Sequence, residues 1–243
     1  MTLLLLAGTG LAQEIARRLD GRNIDVIVSL AGGTRTPDVA GGLPCRVGGF
    51  GGDAGFRAFL ASQAITAVLD ATHPFAARIS ARSARICAEA GIAYCLAQRP
   101  PWQARPGDRW HLIDREEEAA HHIAPGSTVF LATGRPTLDR FANLRSCHLI
   151  CRQIEPPDRE FPFENGRFLV GTPPFSVAQE QDLFAALGVD WLVVKNAGGR
   201  ASATKLTAAR ELGLRVAMIN RPALPDAPVV HDAEAALDWV AGQ

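Results

Sequence analysis

Apolar residues along the chain alternate between two patterns, short continuous runs and stretches with helical spacing. The run 3–7 gives way through Gly8-Thr9-Gly10 to Leu11, Ile15 and Leu19, which share one helical face. Runs at 25–30 and 45–47 predict a second strand and a short third one, the latter ending in Gly48-Gly49-Phe50-Gly51-Gly52. A helix over 53–63, a strand closing at Leu69, a helix over 75–90 and a strand over 92–97 complete an alternating β/α series, the pattern of a doubly wound parallel sheet. Pro74 is expected at the first helical position, where its missing N–H has no partner to lose.

Arg99-Pro100-Pro101-Trp102 and the polar residues to Asp108 interrupt the periodicity, and a second series follows. It has strands at 128–132, 147–151, 167–170, 191–194 and 215–219, a helix ending at Leu187 and a helix over 203–212. The two series superpose. Glu89 to Pro100 aligns with Glu211 to Pro222, with Glu, Gly, Arg and Pro identical; Asp70 aligns with Lys195 and Gly8-Thr9-Gly10 with Thr133-Gly134-Arg135. This argues for a duplicated unit, with chance similarity between two βαβ units as the other reading, and for an α/β chain of two Rossmann-like doubly wound domains at 1–98 and 109–243.

The 243 residues are 47% hydrophobic, enough for two modest cores, and carry 25 basic and 25 acidic side chains at a pI of about 7.0. No net field favours nucleic acid or an anionic membrane, and the apolar run 3–7 is too short for a membrane span. Only Lys195 and Lys205 are lysine among the basic residues. An arginine surplus suits a polyanionic ligand, and a GC-rich genome produces it equally well. Five cysteines without a C-x-x-C pair argue against a zinc site or a disulfide framework and for a reduced, cytoplasmic protein; a monomer or weak dimer is expected.

Candidate chemistry gathers at strand ends. Gly8, Thr9 and Gly10 form a turn able to admit a pyrophosphate onto a helix N-terminus, although Gln13 replaces the third glycine of the dinucleotide fingerprint. After the second strand, where NAD enzymes carry an acid, stand Ser29, Thr34 and Arg35, which suit a 2′-phosphate; a loop with one solvated arginine is the plainer reading. Asp70, Thr72 and His73 share one strand-to-helix turn, as catalytic groups or as helix caps. Arg78, Arg82 and Arg85 fall on one helical face, a carboxylate-binding rim or a solvated stripe. Lys195 fits a ligand contact or an ion pair. Glu116-Glu117-Glu118 and His121-His122 read as a solvated face, and no metal site is expected.

Together these stretches resemble the precorrin-6A reductase family, which works in corrin-ring biosynthesis. The resemblance is carried by Gly8-Thr9, Ser29-Leu30-Ala31-Gly32, Gly48 to Gly52, Asp70-Ala71-Thr72-His73-Pro74-Phe75-Ala76, Arg99-Pro100-Pro101-Trp102, Thr133-Gly134-Arg135, and Lys195-Asn196-Ala197-Gly198-Gly199 with Lys205 beyond. It implies hydride transfer from NADPH to a tetrapyrrole. The cofactor would lie on Gly8, Thr9, Gly10, Ser29, Arg35, Phe50, Asp70, Ala71, Thr72 and His73, with His73 and Asp70 nearest the chemistry. Arg99, Trp102, Gly134, Arg135, Lys195, Asn196 and Lys205 would hold the macrocycle's carboxylate arms in a cleft between domains. Two departures stand out: where the family commonly reads Gly-Gly-Thr-x-Glu-Gly at the first turn, this chain has Ala7, Leu11 and Ala12 at the first, fifth and sixth places, and Gly33 replaces an arginine after Ser-Leu-Ala-Gly. The resemblance also implies strand exchange between domains, with 229–239 completing a sheet other than its nearest. Two rival readings are an S-adenosylmethionine-dependent methyltransferase of the same pathway and a non-enzymatic nucleotide-sensing module.

Overall fold

The computed structural model describes residues 1–32 and 42–243. They form two compact units, Met1–Pro100 with Pro222–Gln243, and Pro101–Arg221.

In unit 1, β1 (Thr2–Leu6), β2 (Asp25–Leu30), β3 (Cys45–Val47), β4 (Ala67–Asp70) and β5 (Ala93–Ala97) join β12 (Val229–Val230) in a parallel sheet of order β3-β2-β1-β4-β5-β12. β1 is a continuous leucine run because both its faces are covered. Leu3 and Leu5 face α1 (Gly10–Leu19) and α6 (Ala233–Ala241); Leu4 and Leu6 face α2 (Gly52–Ser62) and α3 (Ala77–Ala90). Leu11, Ile15 and Leu19 of α1 are buried, each burial being worth about 1.5–3 kcal/mol.

In unit 2, β6 (Arg109–Ile113), β7 (Thr128–Leu131), β8 (His148–Gln153), β9 (Gly166–Val170), β10 (Trp191–Lys195) and β11 (Arg215–Ile219) form a parallel sheet of order β9-β8-β7-β10-β11-β6. α4 (Val177–Leu187) and α5 (Thr204–Glu211) cover one face through Phe184, Leu206, Ala208 and Ala209. In place of a counterpart to α1 stands a 3-10 segment, Arg135–Leu144.

Both sheets follow the dinucleotide-fold order 3-2-1-4-5-6, so the doubly wound architecture and its duplication hold. The sixth strand is exchanged in sequence. β6 follows β5 along the chain yet pairs with β11, and β12 follows β11 yet pairs with β5. The chain crosses between units at Pro100–Pro101 and at Arg221–Pro222, beside the two Arg-Pro pairs that the repeat aligns. The segment from Pro222 onward, expected within a domain at 109–243, therefore completes unit 1.

Two local expectations are corrected, and one strand had none. Only Val229–Val230 of the segment 229–239 is strand; Asp232 accepts a hydrogen bond from Ala235 N at 2.9 Å and starts α6 instead. β6 gave no legible strand pattern, because it is an edge strand whose Leu112 points outward at 63% exposure. Pro74 does not open α3. Ala76 N donates to His73 O at 2.7 Å, which makes Pro74 the second residue of a β-turn, and the helix begins beyond it at Ala77. No helix among the described residues is long and apolar enough to cross a membrane.

Candidate functional site

The carboxyl ends of the unit 1 strands converge on the turns singled out in the sequence. Gly8, at φ 144°, and Gly10 are exposed on either side of Thr9, which caps α1 by accepting from Ala12 N at 3.1 Å. The Thr9 hydroxyl donates to Ala71 O at 2.8 Å, tying the first turn to the one after β4. A Cβ built on Gly8 meets nothing within 4 Å, so open space lies beside the backbone at the start of α1. Free N–H groups and the positive end of the helix dipole make this a cradle for a pyrophosphate.

At the end of β2, Ser29 is buried, and its hydroxyl accepts from Arg46 Nη1 at 2.7 Å. The same guanidinium donates to Gly49 O at 2.9 Å and lies 4.0 Å from the centre of the Phe50 ring. Phe50 is itself 9% exposed, edge-on to Phe56 and Phe59, so it is a core residue that supports Arg46. Arg46 is not among the residues singled out in the sequence. It stands in register with Ser29 across the β2–β3 pairing, a relation that a three-residue strand does not betray in sequence. Arg35, the expected phosphate contact, lies outside the described residues.

Asp70 changes role. It is 1% exposed, with Oδ1 accepting from Thr72 N at 3.0 Å and from Thr72 Oγ1 at 2.6 Å, and Oδ2 accepting from Tyr94 OH at 2.8 Å. Burial raises the Tyr94 hydroxyl's pKa, and the Asp70 carboxylate adds to the shift; burial pushes the Cys87 thiol up to about 12, with Asp70 again contributing. A carboxylate held this way shapes the turn. His73 is exposed beside it, with Nδ1 accepting from Phe75 N at 3.2 Å. Arg85 pairs with Asp53 and Glu89, and Arg57 also reaches Glu89, a solvated network as its plainer reading required. Arg82 instead lies over the Phe56 ring at 5.2 Å. Arg99, just past β5, is half-buried, and burial lowers its pKa.

In unit 2, Asn196 clamps Trp102. Its Oδ1 accepts from Trp102 N at 2.7 Å and its Nδ2 donates to Trp102 O at 3.1 Å, while the indole Nε1 donates to Gly199 O at 2.9 Å. Lys195 lies 3.7 Å from Glu116, which also takes Arg140 at 3.2 Å; burial lowers the lysine's pKa and Glu116 opposes the shift. Glu116 is 5% exposed, so it is not part of a solvated face. Gly134 turns at φ 76° ahead of Arg135, which pairs with Asp158. Lys205 stands at the start of α5 and donates to Ser202 O at 2.7 Å. Among the described residues no cluster of His, Cys, Asp or Glu could hold a metal ion, and all five cysteines are free.

Comparisons with known proteins agree on one relationship. The family model described as precorrin-6x reductase CbiJ/CobK matches residues 2–241. A precorrin-6A reductase of Rhodobacter capsulatus is 39% identical over 240 residues, covering 98% of this chain and 95% of that protein. One from Rhodococcus erythropolis is 39% identical over 241 residues, covering 98% and 96%. A solved structure titled CobK precorrin-6A reductase superposes with a TM-score of 0.93 at 37% identity, covering 100% of this chain and 97% of that one. The chain therefore belongs to the precorrin-6x reductase CbiJ/CobK family.

Proposed function

We propose that the chain reduces the precorrin-6A macrocycle to precorrin-6B with NADPH, in cobalamin biosynthesis. The carrying observation is the end-to-end match to relatives named for that reduction. The cofactor is supported by the chemistry of the unit 1 strand ends. A hydroxyl and a guanidinium at the end of β2 suit a 2′-phosphate, where a carboxylate would suit a ribose diol. The open backbone at Gly8 suits a pyrophosphate.

When bound, the nicotinamide supplies the hydride. Gly8, Thr9 and Gly10 hold the pyrophosphate, Ser29 and Arg46 the 2′-phosphate, and Ala71, Thr72 and His73 the nicotinamide ribose. Asp70 fixes the turn that presents them. Arg99, Trp102, Gly134, Arg135, Lys195, Asn196 and Lys205 bind and orient the acetate- and propionate-bearing macrocycle, so that alignment does most of the work. The ring nitrogens absorb the charge of the reduced bond, the balancing proton comes from solvent, and His73 positions the cofactor without transferring a proton.

The experiment is to titrate the pure protein with NADPH, NADH and S-adenosylmethionine, then to follow NADPH oxidation with precorrin-6A present. Tight binding of NADPH alone, followed by turnover, is expected. Binding of S-adenosylmethionine instead, or NADPH binding without turnover, sinks the reading. A His73→Ala variant should keep its single-turnover rate at saturating ligands; a drop of about 10²-fold or more would make His73 a proton donor.

A further inference from the structure

Unit 2 has a strand-end cavity of its own, about 170 Å³, lined by Arg152, Gly171, Phe175, Glu180, Ser202 and Lys205 among others. It lies at the carboxyl ends of β8 and β9, where a sheet of this order binds ligands. Arg152 is the fifth of the six residues of β8, as Ser29 is of β2. Its side chain is 8% exposed and grips Glu180, 1% exposed, through two bonds of 2.8 Å. The guanidinium lies 4.4 Å from the Phe175 ring centre and 5.0 Å from that of Phe130. A Cβ on Gly171 would sit 3.0 Å from the Phe175 ring, so glycine keeps that ring in place.

The charges do not balance. Glu180 is committed to Arg152, and the second cation, Lys205, is held by the carbonyl of Ser202. Burial pushes the Lys205 ammonium down to about 8, with Arg152 adding repulsion and Glu180 partly opposing it. Arg152 from β8 and Glu180 from α4 are the charged groups that face it. Two cations, both largely withdrawn from water, against one carboxylate in a small half-open cavity call for one more anion. The turn after β7 runs into a 3-10 segment, which removes the α-helix N-terminus that a pyrophosphate needs. The volume is well below the ~300 Å³ at which pockets for drug-sized ligands begin.

We propose that this cavity receives a single carboxylate arm of the substrate, with the carboxylate between Lys205 Nζ and the Arg152 guanidinium. The assignment of the arm rests on the polycarboxylate macrocycle proposed above; the anion site itself does not. An anion there stabilises the Lys205 ammonium, so binding takes up a proton as pH approaches and passes 8, and affinity falls as Lys205 loses its charge.

The test is calorimetric titration of the intact chain with glutarate and, separately, with inorganic phosphate, from pH 6.5 to 9.5 and in buffers of different ionisation enthalpy. Glutarate should bind with proton uptake near pH 8 and about tenfold more weakly at pH 9.5. Lys205→Met should lose about tenfold in affinity together with the pH dependence, and should raise the KM for precorrin-6A. Lys205→Arg, which keeps the charge, should bind with no titration in this range. Phosphate binding in preference to glutarate, or a glutarate affinity that Lys205→Met leaves unchanged, overturns the proposal. A precorrin-6A KM unmoved by Lys205→Met overturns the substrate arm even if glutarate binds. If the chain never turns over precorrin-6A while the glutarate signature persists, the proposed function fails and the anion site stands.

Discussion

Replacing Arg46 with glutamine separates cofactor recognition from architecture. The guanidinium is half-buried, bonded to Ser29 Oγ and Gly49 O and laid on the Phe50 ring at 4.0 Å, so it is fixed before any ligand arrives. A charge-assisted bond from such a group to a 2′-phosphate is worth about 1.5–3 kcal/mol. Arg46→Gln should therefore weaken NADPH binding about 10- to 150-fold and leave NADH binding unchanged. Arg46→Lys keeps the charge but loses the planar fork and the stacking, and should fall between the two. Calorimetric titration of both cofactors into each variant supplies the numbers, with a thermal melt to confirm folding. An equal loss for NADPH and NADH would mean that Arg46 only braces the loop after β3. No loss for either would place the 2′-phosphate elsewhere.

Three further outcomes follow from the same geometry. Tyr94→Phe strips Asp70 Oδ2 of its donor in a buried site and should cost about 1–3 kcal/mol, read as a lower urea midpoint with an unchanged slope; a shift of only a few tenths would show that Asp70 is already satisfied. Gly55→Ala would put a Cβ 1.7 Å from Phe50 O, so the loop carrying Phe50 must move; about 1–3 kcal/mol of stability should go, together with the NADPH preference set by Arg46, and a neutral result would refute the contact. The His111 pKa is lowered by burial first and then by His122, Arg215 and Arg109. The unfolded chain then takes up a proton that the fold resists, so stability should fall as pH drops below about 6.5, and His111→Gln should flatten that fall in thermal melts.

The sequence shows most of the fold and only part of the site, for a common reason. Helical faces such as Leu11, Ile15 and Leu19, and runs such as Leu3 to Leu6, are local patterns imposed by burial, so they can be read without knowing their neighbours. The Gly8 turn and the Asp70 turn are likewise local. Arg46 against Ser29, Tyr94 against Asp70 and Glu180 against Arg152 are pairings between separate elements, fixed by strand register and helix docking. Pattern alone does not mark β6, whose Leu112 is exposed, or β12, which is only two residues long. The charged residues misled most. Asp70 and Glu116 sit in stretches that read as functional or solvated, and both are buried polar ties within the fold.

The exchanged sixth strand also sets an order of events during synthesis. Pro101–Arg221 is one continuous piece, so every strand of its sheet exists once residue 219 has left the ribosome. The other sheet cannot close at that time. Its β5 edge offers the amides of Leu96 and Gln98, which pair with Pro228 O and Val230 O only after that later segment is made. At synthesis rates of ~5–20 residues per second the edge waits on the order of ten seconds, a parallel strand open to any extended neighbour. A nascent chain stalled short of residue 229 would carry one finished sheet and one adhesive edge, so recruitment of chaperones and aggregation should both trace to β5.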